Sequence, residues 1–142
     1  MPNLFRTAAI VFAGLAATAA HADGIEPGLW NVITQTTGDI GPPHQSAKCL
    51  TSEQTQDLAT TFSPVATTVN SECAPMERSL VGTRLTWHLV CKGQLDMELS
   101  GEFNFDSPHH YTGKVRTLAM MVGMPPMDQQ NTLEGQWVSA CK

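Results

Sequence analysis

The chain has 142 residues, of which 8 are Lys or Arg and 13 are Asp or Glu, so its formal net charge at pH 7 is −5. An acidic chain with few, scattered cations lacks the basic patch that nucleic acids and anionic membrane surfaces require, so neither class of partner is expected. A chain of this length supports one hydrophobic core, which predicts a single domain.

The N-terminus has the pattern of a signal peptide. Arg6 precedes an apolar run over residues 7–20, and Ala20 and Ala22 are the small residues that signal peptidase accepts. The run is shorter than the roughly 20 apolar residues of a spanning helix, which disfavours a retained anchor. We therefore expect residues 1–22 to be removed before Asp23, leaving residues 23–142 as a periplasmic domain with no membrane span.

Four cysteines remain after cleavage: Cys49, Cys73, Cys91 and Cys141. An even number of cysteines in a small exported chain predicts two disulfides. The sequence contains no Cys-x-x-Cys spacing, so a zinc or iron-sulfur site is not expected. Disulfides would also leave no thiol for nucleophilic catalysis.

The segment 95–106, "LDMELSGEFNFD", alternates strictly between apolar or small and polar residues. This alternation predicts a strand with one face in the core and the other in water. A turn near Pro108 would place Lys114 opposite Glu102 and Arg116 opposite Ser100, so that charges complement each other across the pair. The polar side of this strand carries an acidic stripe, formed by Asp96, Glu98, Glu102 and Asp106. Same-face neighbours on one strand lie roughly 6.6 Å apart, too far to share one calcium ion, so a solvated face is favoured for this stripe.

Most of the remaining chain has the same two-residue period. Further strands are predicted at 29–37, 45–50, 76–81 and 84–91, in the segment that ends at Met121, and in the segment that begins at Met127. One short helix is predicted near residues 51–61, where Thr51 and Gln54 form a capping box. The predicted fold is mainly β, an antiparallel meander of about seven strands that curls into a small closed or half-open barrel.

The meander also predicts the disulfide pairing. Cys73 and Cys91 fall at one end of the sheet and Cys141 at the other. If the last strand pairs with the first, Cys49 lies at the Cys141 end. The predicted bonds are therefore Cys49–Cys141 and Cys73–Cys91, with a bulge near Pro75 because Cys73 has the opposite parity to the strand that follows it.

Several segments together resemble a known family: "PGLWNVITQT", "KCLTSEQ", "LTWHLVC", "DSPHHYTGKV" and "EGQWVSAC". They are similar to the exported proteobacterial proteins grouped as domain of unknown function 3617. Two departures are Ser52, where proline is common in the family, and the ending "EGQWVSAC" in place of the usual Gly-Asp-Cys. The resemblance implies a periplasmic location and a cysteine-stapled fold made mostly of strands, and it implies no activity.

The sequence gives no support for an enzyme. The predicted mature chain retains four histidines, His44, His88, His109 and His110. No hydrolase elbow, zinc-protease motif, phosphate loop or dinucleotide fingerprint accompanies them. A non-catalytic binding or structural module is therefore the leading hypothesis.

The stretch "MMVGMPPM", residues 120–127, is the candidate functional segment. Met120 and Met121 are predicted to end one strand and Met127 to begin the next, with Met124 in the turn. Exposed methionines suit contact with an apolar ligand or a protein partner, and this function needs no cofactor. The alternative is a Cu(I) site formed by the soft thioethers of Met121, Met124 and Met127. A purely structural role, in which flexible methionines fill gaps at the mouth of the barrel, is also open.

Overall fold

The computed structural model describes residues 24–66 and 71–142. The predicted signal peptide and the cleavage site before Asp23 lie outside the described residues. The elements in chain order are β1 Gly28–Thr36, β2 His44–Leu50, α1 Ser52–Gln56, α2 Leu58–Thr61, β3 Ser71–Cys73, β4 Glu77–Val81, β5 Arg84–Gly93, β6 Leu95–Ser107, β7 His110–Met121 and β8 Met127–Ser139.

All eight strands belong to one antiparallel sheet in the order β2-β1-β8-β7-β6-β5-β3, and β4 also pairs with β5. The mainly β, antiparallel prediction is confirmed, and so is the pairing of the last strand with the first. The strand beyond the predicted seven is β3, whose three residues are too few for a pattern to show. The sheet is not closed, because β2 lies at one edge and β3 and β4 at the other.

The helix predicted near residues 51–61 is divided into α1 and α2 at Asp57. Thr51 caps α1, because its hydroxyl accepts the Gln54 N–H at 3.3 Å while the Gln54 side chain accepts the Thr51 N–H at 2.9 Å. Asp57 then accepts the Thr60 N–H at 3.0 Å and begins α2. An aspartate side chain competes for backbone N–H groups, which favours helix starts over helix interiors and explains the break.

The predicted register and disulfides are confirmed. Glu102 lies opposite Lys114 and Ser100 opposite Arg116. The bonds are Cys49–Cys141 and Cys73–Cys91. Cys73 pairs with Cys91, whereas Glu77 pairs with His88, so the chain between Cys73 and Glu77 contains one residue more than the strand it faces. Pro75 lies in this bulge, as predicted.

Aromatic rings on one face of the sheet, the core face, lie over glycines on neighbouring strands. Trp87 pairs with Gly101, Phe103 with Gly113, and Tyr111 with Gly135. A Cβ atom at any of these glycines would overlap the ring, so each glycine leaves space that the aromatic side chain occupies.

The helical segment covers this aromatic face. The Phe62 ring, directly after α2, lies 5.2 Å from the ring centre of Phe103, 5.0 Å from that of Phe105 and 4.9 Å from that of Tyr111. The Trp87 indole N–H donates to the Phe62 carbonyl at 2.9 Å, which ties the helical segment to the sheet. The buried core includes Ile25, Trp30, Val32, Leu50, Leu58, Leu85, Trp87, Phe103, Phe105 and Tyr111.

The opposite face of the sheet is polar, and each acidic side chain of the β6 stripe has a basic neighbour. The pairs are Asp96 with Lys92 at 3.0 Å, Glu98 with His88 at 2.9 Å, Glu102 with Arg84 at 2.8 Å and Asp106 with His110 at 2.8 Å. Exposed pairs of this kind contribute little to stability. Across residues 24–66 and 71–142, no group of three or more His, Cys, Asp or Glu side chains is arranged to hold a metal ion.

Candidate contact site at the methionine hairpin

The methionine hairpin, residues 120–127, joins β7 to β8. Met121 ends β7, Met127 begins β8, and the Met124 N–H donates to the Met121 carbonyl at 3.1 Å to close a tight turn. Gly123 has a φ of 83°, a conformation that glycine adopts without steric cost. Two consecutive prolines then prevent the segment from continuing as a regular strand. The placement predicted for these methionines is therefore observed.

The hairpin exposes most of its apolar side chains. The exposed fraction is 42% for Met120, 48% for Met121, 62% for Met124, 55% for Met127 and 97% for Val122. Residues 120–127 contain no charged side chain and no polar side chain. An uninterrupted exposed apolar segment of this kind is typical of an interaction surface.

Strand register divides the four methionines between the two faces of the sheet. Met127 pairs with the buried Ala119, and Met121 has the same parity as Ala119, so both side chains lie on the core face. Met120 lies on the opposite face, beside Asp96. The predicted contact residues therefore do not form one flat patch but surround the tip of the hairpin.

The register adds Met97, which lies on the apolar side of the alternating segment 95–106. Met97 pairs with Ala119 from the other side, so Met97 and Met127 flank the same small residue on the core face. Met97 is half-buried. The predicted turn near Pro108 already implied this pairing, and extending the register along β6 would have identified Met97 from sequence.

Charged residues next to the hairpin neutralise one another. The Arg116 guanidinium donates to both carboxylate oxygens of Asp128, at 2.9 and 2.7 Å, and holds the pKa of that carboxyl below its usual value. A hydrogen bond from the Gly93 N–H makes the largest contribution to lowering the pKa of Asp96, and a hydrogen bond from the Lys92 ammonium lowers it further. Each carboxylate near the hairpin is thus ionised and compensated, so the tip itself remains an uncharged apolar surface.

The histidines of the β6–β7 turn lie at the far end of β7 from the methionines, as predicted. Both ring nitrogens of His110 face carboxylates, Asp106 at 2.8 Å and Glu134 at 3.2 Å. The hydrogen bond to Asp106, more than that to Glu134, raises the pKa of His110 despite partial desolvation. The His109 ring stacks on Trp137 with 4.9 Å between centres and pairs with Glu26 at 3.1 Å. These histidines are therefore not ligands for the methionine sulfurs.

A cleft of about 700 Å³ opens at the end of the sheet opposite the methionine hairpin. Its apolar lining includes Ile25, Leu58, Leu80 and Phe105. This cleft was not predicted from the sequence, because its walls come from the N-terminal segment, the helices and the β4–β5 hairpin. No local pattern indicates that these distant segments meet.

None of the helices in the described part of the chain combines the length and apolar character needed to cross a membrane. Neither a curated protein nor a solved structure matches this chain at a significant level. A family model described as "Protein of unknown function (DUF3617)" matches residues 25–141. That match covers nearly all of the described residues and includes the Gly28–Trp30 opening and all four cysteines. The chain belongs to the domain of unknown function 3617 family.

Proposed function

We propose that this protein is a non-catalytic module of the periplasm that contacts a protein partner through the methionine hairpin. The observation that carries the proposal is the exposure of four methionines and Val122 on one uncharged turn. Export is supported by the two disulfides, which form and persist in oxidising compartments.

A protein partner suits this site better than a small apolar ligand. Small-molecule sites are concave and enclose most of the ligand, whereas Val122 is 97% exposed at the tip of the turn. Methionine is enriched in the cores of protein interfaces, and its unbranched side chain adapts to partners of different shape. A partner that presents an apolar groove would cover the hairpin tip and leave the neighbouring ion pairs at the rim.

Photo-crosslinking in intact host cells tests this contact. A photoreactive amino acid at Val122 is compared with one at Val138, which is also an exposed valine, at the other end of β8. We expect a discrete crosslinked protein from position 122 and none from position 138. The species should disappear in the Met121→Ser, Met124→Ser background and persist when both methionines are changed to leucine. Equal yields from the two positions, or a yield unaffected by the serines, would contradict the proposal.

A Cu(I)-binding function is the second candidate, favoured by one feature of the register. Met121 and Met127 lie on the same face of the sheet, and Met124 lies in the turn between them. Long, flexible side chains at such diagonal positions can converge, and thioether sulfur is a preferred ligand of Cu(I).

Native mass spectrometry after addition of Cu(I) separates the two candidate functions. A copper site requires a one-copper adduct that is lost in Met124→Ser and also in Met124→Leu, because neither side chain supplies sulfur. A protein-contact surface needs only the apolar character, so Met124→Leu should preserve the crosslink at Val122. An unchanged adduct in both variants would exclude copper coordination by Met124.

A further inference from the structure

In the part of the chain that the structure describes, the methionine thioethers are the sulfur groups most open to two-electron oxidation. All four cysteines form disulfides, and no free thiol is present. Met120, Met121, Met124 and Met127 are all exposed in the hairpin. Met76, in contrast, is half-buried and packs against the hydrophobic core.

We infer that the methionine hairpin is a reversible oxidation site that controls the apolar contact surface. In this reaction a lone pair on the thioether sulfur attacks the terminal oxygen of a hydroperoxide. The O–O bond breaks as the S–O bond forms, the sulfur loses two electrons, and the peroxide is reduced to an alcohol, or to water in the case of hydrogen peroxide. A sulfoxide reductase reverses the change by supplying two electrons and two protons, and the oxygen leaves as water.

Oxidation at these positions changes the surface around the hairpin tip, away from the aromatic cluster of the core. The sulfoxide is polar, so each oxidised residue removes apolar character from a turn that has no other polar side chain. The buried aromatic cluster lies at the other end of the strands, where Phe62 covers Phe103, Phe105 and Tyr111. The hairpin thus has a contact-competent reduced form and a polar oxidised form. This consequence rests on the proposed contact function, whereas the oxidation itself does not.

Graded treatment of the folded protein with hydrogen peroxide, followed by peptide mass spectrometry, tests the site. We expect Met120, Met121, Met124 and Met127 to be oxidised several-fold faster than Met76 and Met97, which are both half-buried. Addition of a methionine sulfoxide reductase and its thiol reductant should return the mass to that of the untreated protein. Equal rates at all positions, or oxidation of Met76 first, would overturn the inference.

Retention of the mature protein on a phenyl matrix tests the effect on the surface. The oxidised protein should elute earlier than the reduced protein, and sulfoxide reduction should restore the original retention. The matched control carries leucine at positions 120, 121, 124 and 127, which keeps the apolar surface but removes its sulfur. This control should be retained like the reduced protein. Brief peroxide treatment should leave its retention unchanged, because the two methionines that remain, Met76 and Met97, are half-buried.

The two proposals fail in different ways in this experiment. If the reduced protein is retained no better than a variant with serine at the four positions, the hairpin is not an apolar contact surface and the proposed function fails. If the reduced protein is retained but oxidation leaves its retention unchanged, the contact surface stands and the oxidation control is overturned. A leucine variant that responds to peroxide like the native chain would also overturn that control.

Discussion

The two ends of this sheet use apolar side chains in opposite ways. At the helix-covered end, Trp30 and Leu85 have no exposed surface, and Phe62 closes over the aromatic cluster. At the hairpin end, Met124 and Val122 face solvent in the turn that joins β7 to β8. Burial at the first end drives folding, whereas exposure at the second leaves apolar area available for association. The comparison predicts that substitutions at the helix-covered end lower stability, and that those at the hairpin alter contacts.

The largest effect should come from the disulfide at the helix-covered end. Replacing Cys49 and Cys141 with alanine removes a link between residues separated by 92 positions. Loop-closure entropy for a loop of this size predicts a loss of about 4 to 5 kcal/mol in the free energy of unfolding. Urea denaturation under non-reducing conditions measures the change. A loss below about 1 kcal/mol would show that this end does not depend on its covalent link.

Adding a methyl group beneath the aromatic cluster should have the next largest effect. Gly113→Ala places a Cβ atom in the space that the Phe103 ring occupies. Overpacking of this kind costs about 1 to 3 kcal/mol in unfolding free energy. The neighbouring Thr112 is exposed on the polar face, so Thr112→Ala should change stability by less than about 0.5 kcal/mol and serves as the control. Equal effects at the two positions would contradict the assignment of the faces.

The pH dependence of stability sharpens the comparison at the β6–β7 turn. Hydrogen bonding to Asp106 and Glu134 raises the pKa of His110 above its ordinary 6.5, so the folded state binds this proton more tightly than the unfolded state. The resulting stabilisation is fully present below the unfolded pKa and is lost as the pH rises through the raised folded pKa.

Thermal unfolding of the native chain and of His110→Gln should therefore differ more at about pH 5.5 than at about pH 8.5. The Glu134→Gln variant should keep part of this pH-dependent stabilisation, because Asp106 contributes more than Glu134 to the raised pKa of His110. A gap that widens with rising pH would refute the assigned direction.

The smallest effect on stability should come from the hairpin itself. Met124 is 62% exposed, so Met124→Ala should change the unfolding free energy by less than about 0.5 kcal/mol. Urea denaturation alongside Gly113→Ala gives the comparison directly. A loss comparable to that of Gly113→Ala would mean that the methionines are structural, which would remove the basis for a contact function.

The sequence was informative where structure depends on local pattern. Alternation along residues 95–106 predicted β6, and the turn near Pro108 gave its register with Lys114. The order of strands in the meander predicted the two disulfides. The break at Asp57 was missed because the helical pattern of residues 51–61 continues through it. The signal that could have predicted it is Asp57 itself, since aspartate favours the start of a helix. The cleft lined by Ile25 and Leu80 depends on segments far apart in the chain, so no window of the sequence contains it. The location of the hairpin was predicted from the sequence. The strand register was needed to show that Met120 and Met121 lie on opposite faces of the sheet.

Methyl NMR of the mature protein tests the contact claim most directly. With carbon-13 in the methionine methyl groups, each methionine reports its own surroundings, and Met76 serves as the internal reference. On addition of an extract of the host's exported proteins, we predict broadening of the Met120, Met121, Met124 and Met127 signals. The Met76 signal should remain sharper than these four. Broadening that is absent, or equal at all six positions, would contradict a contact centred on the methionine hairpin.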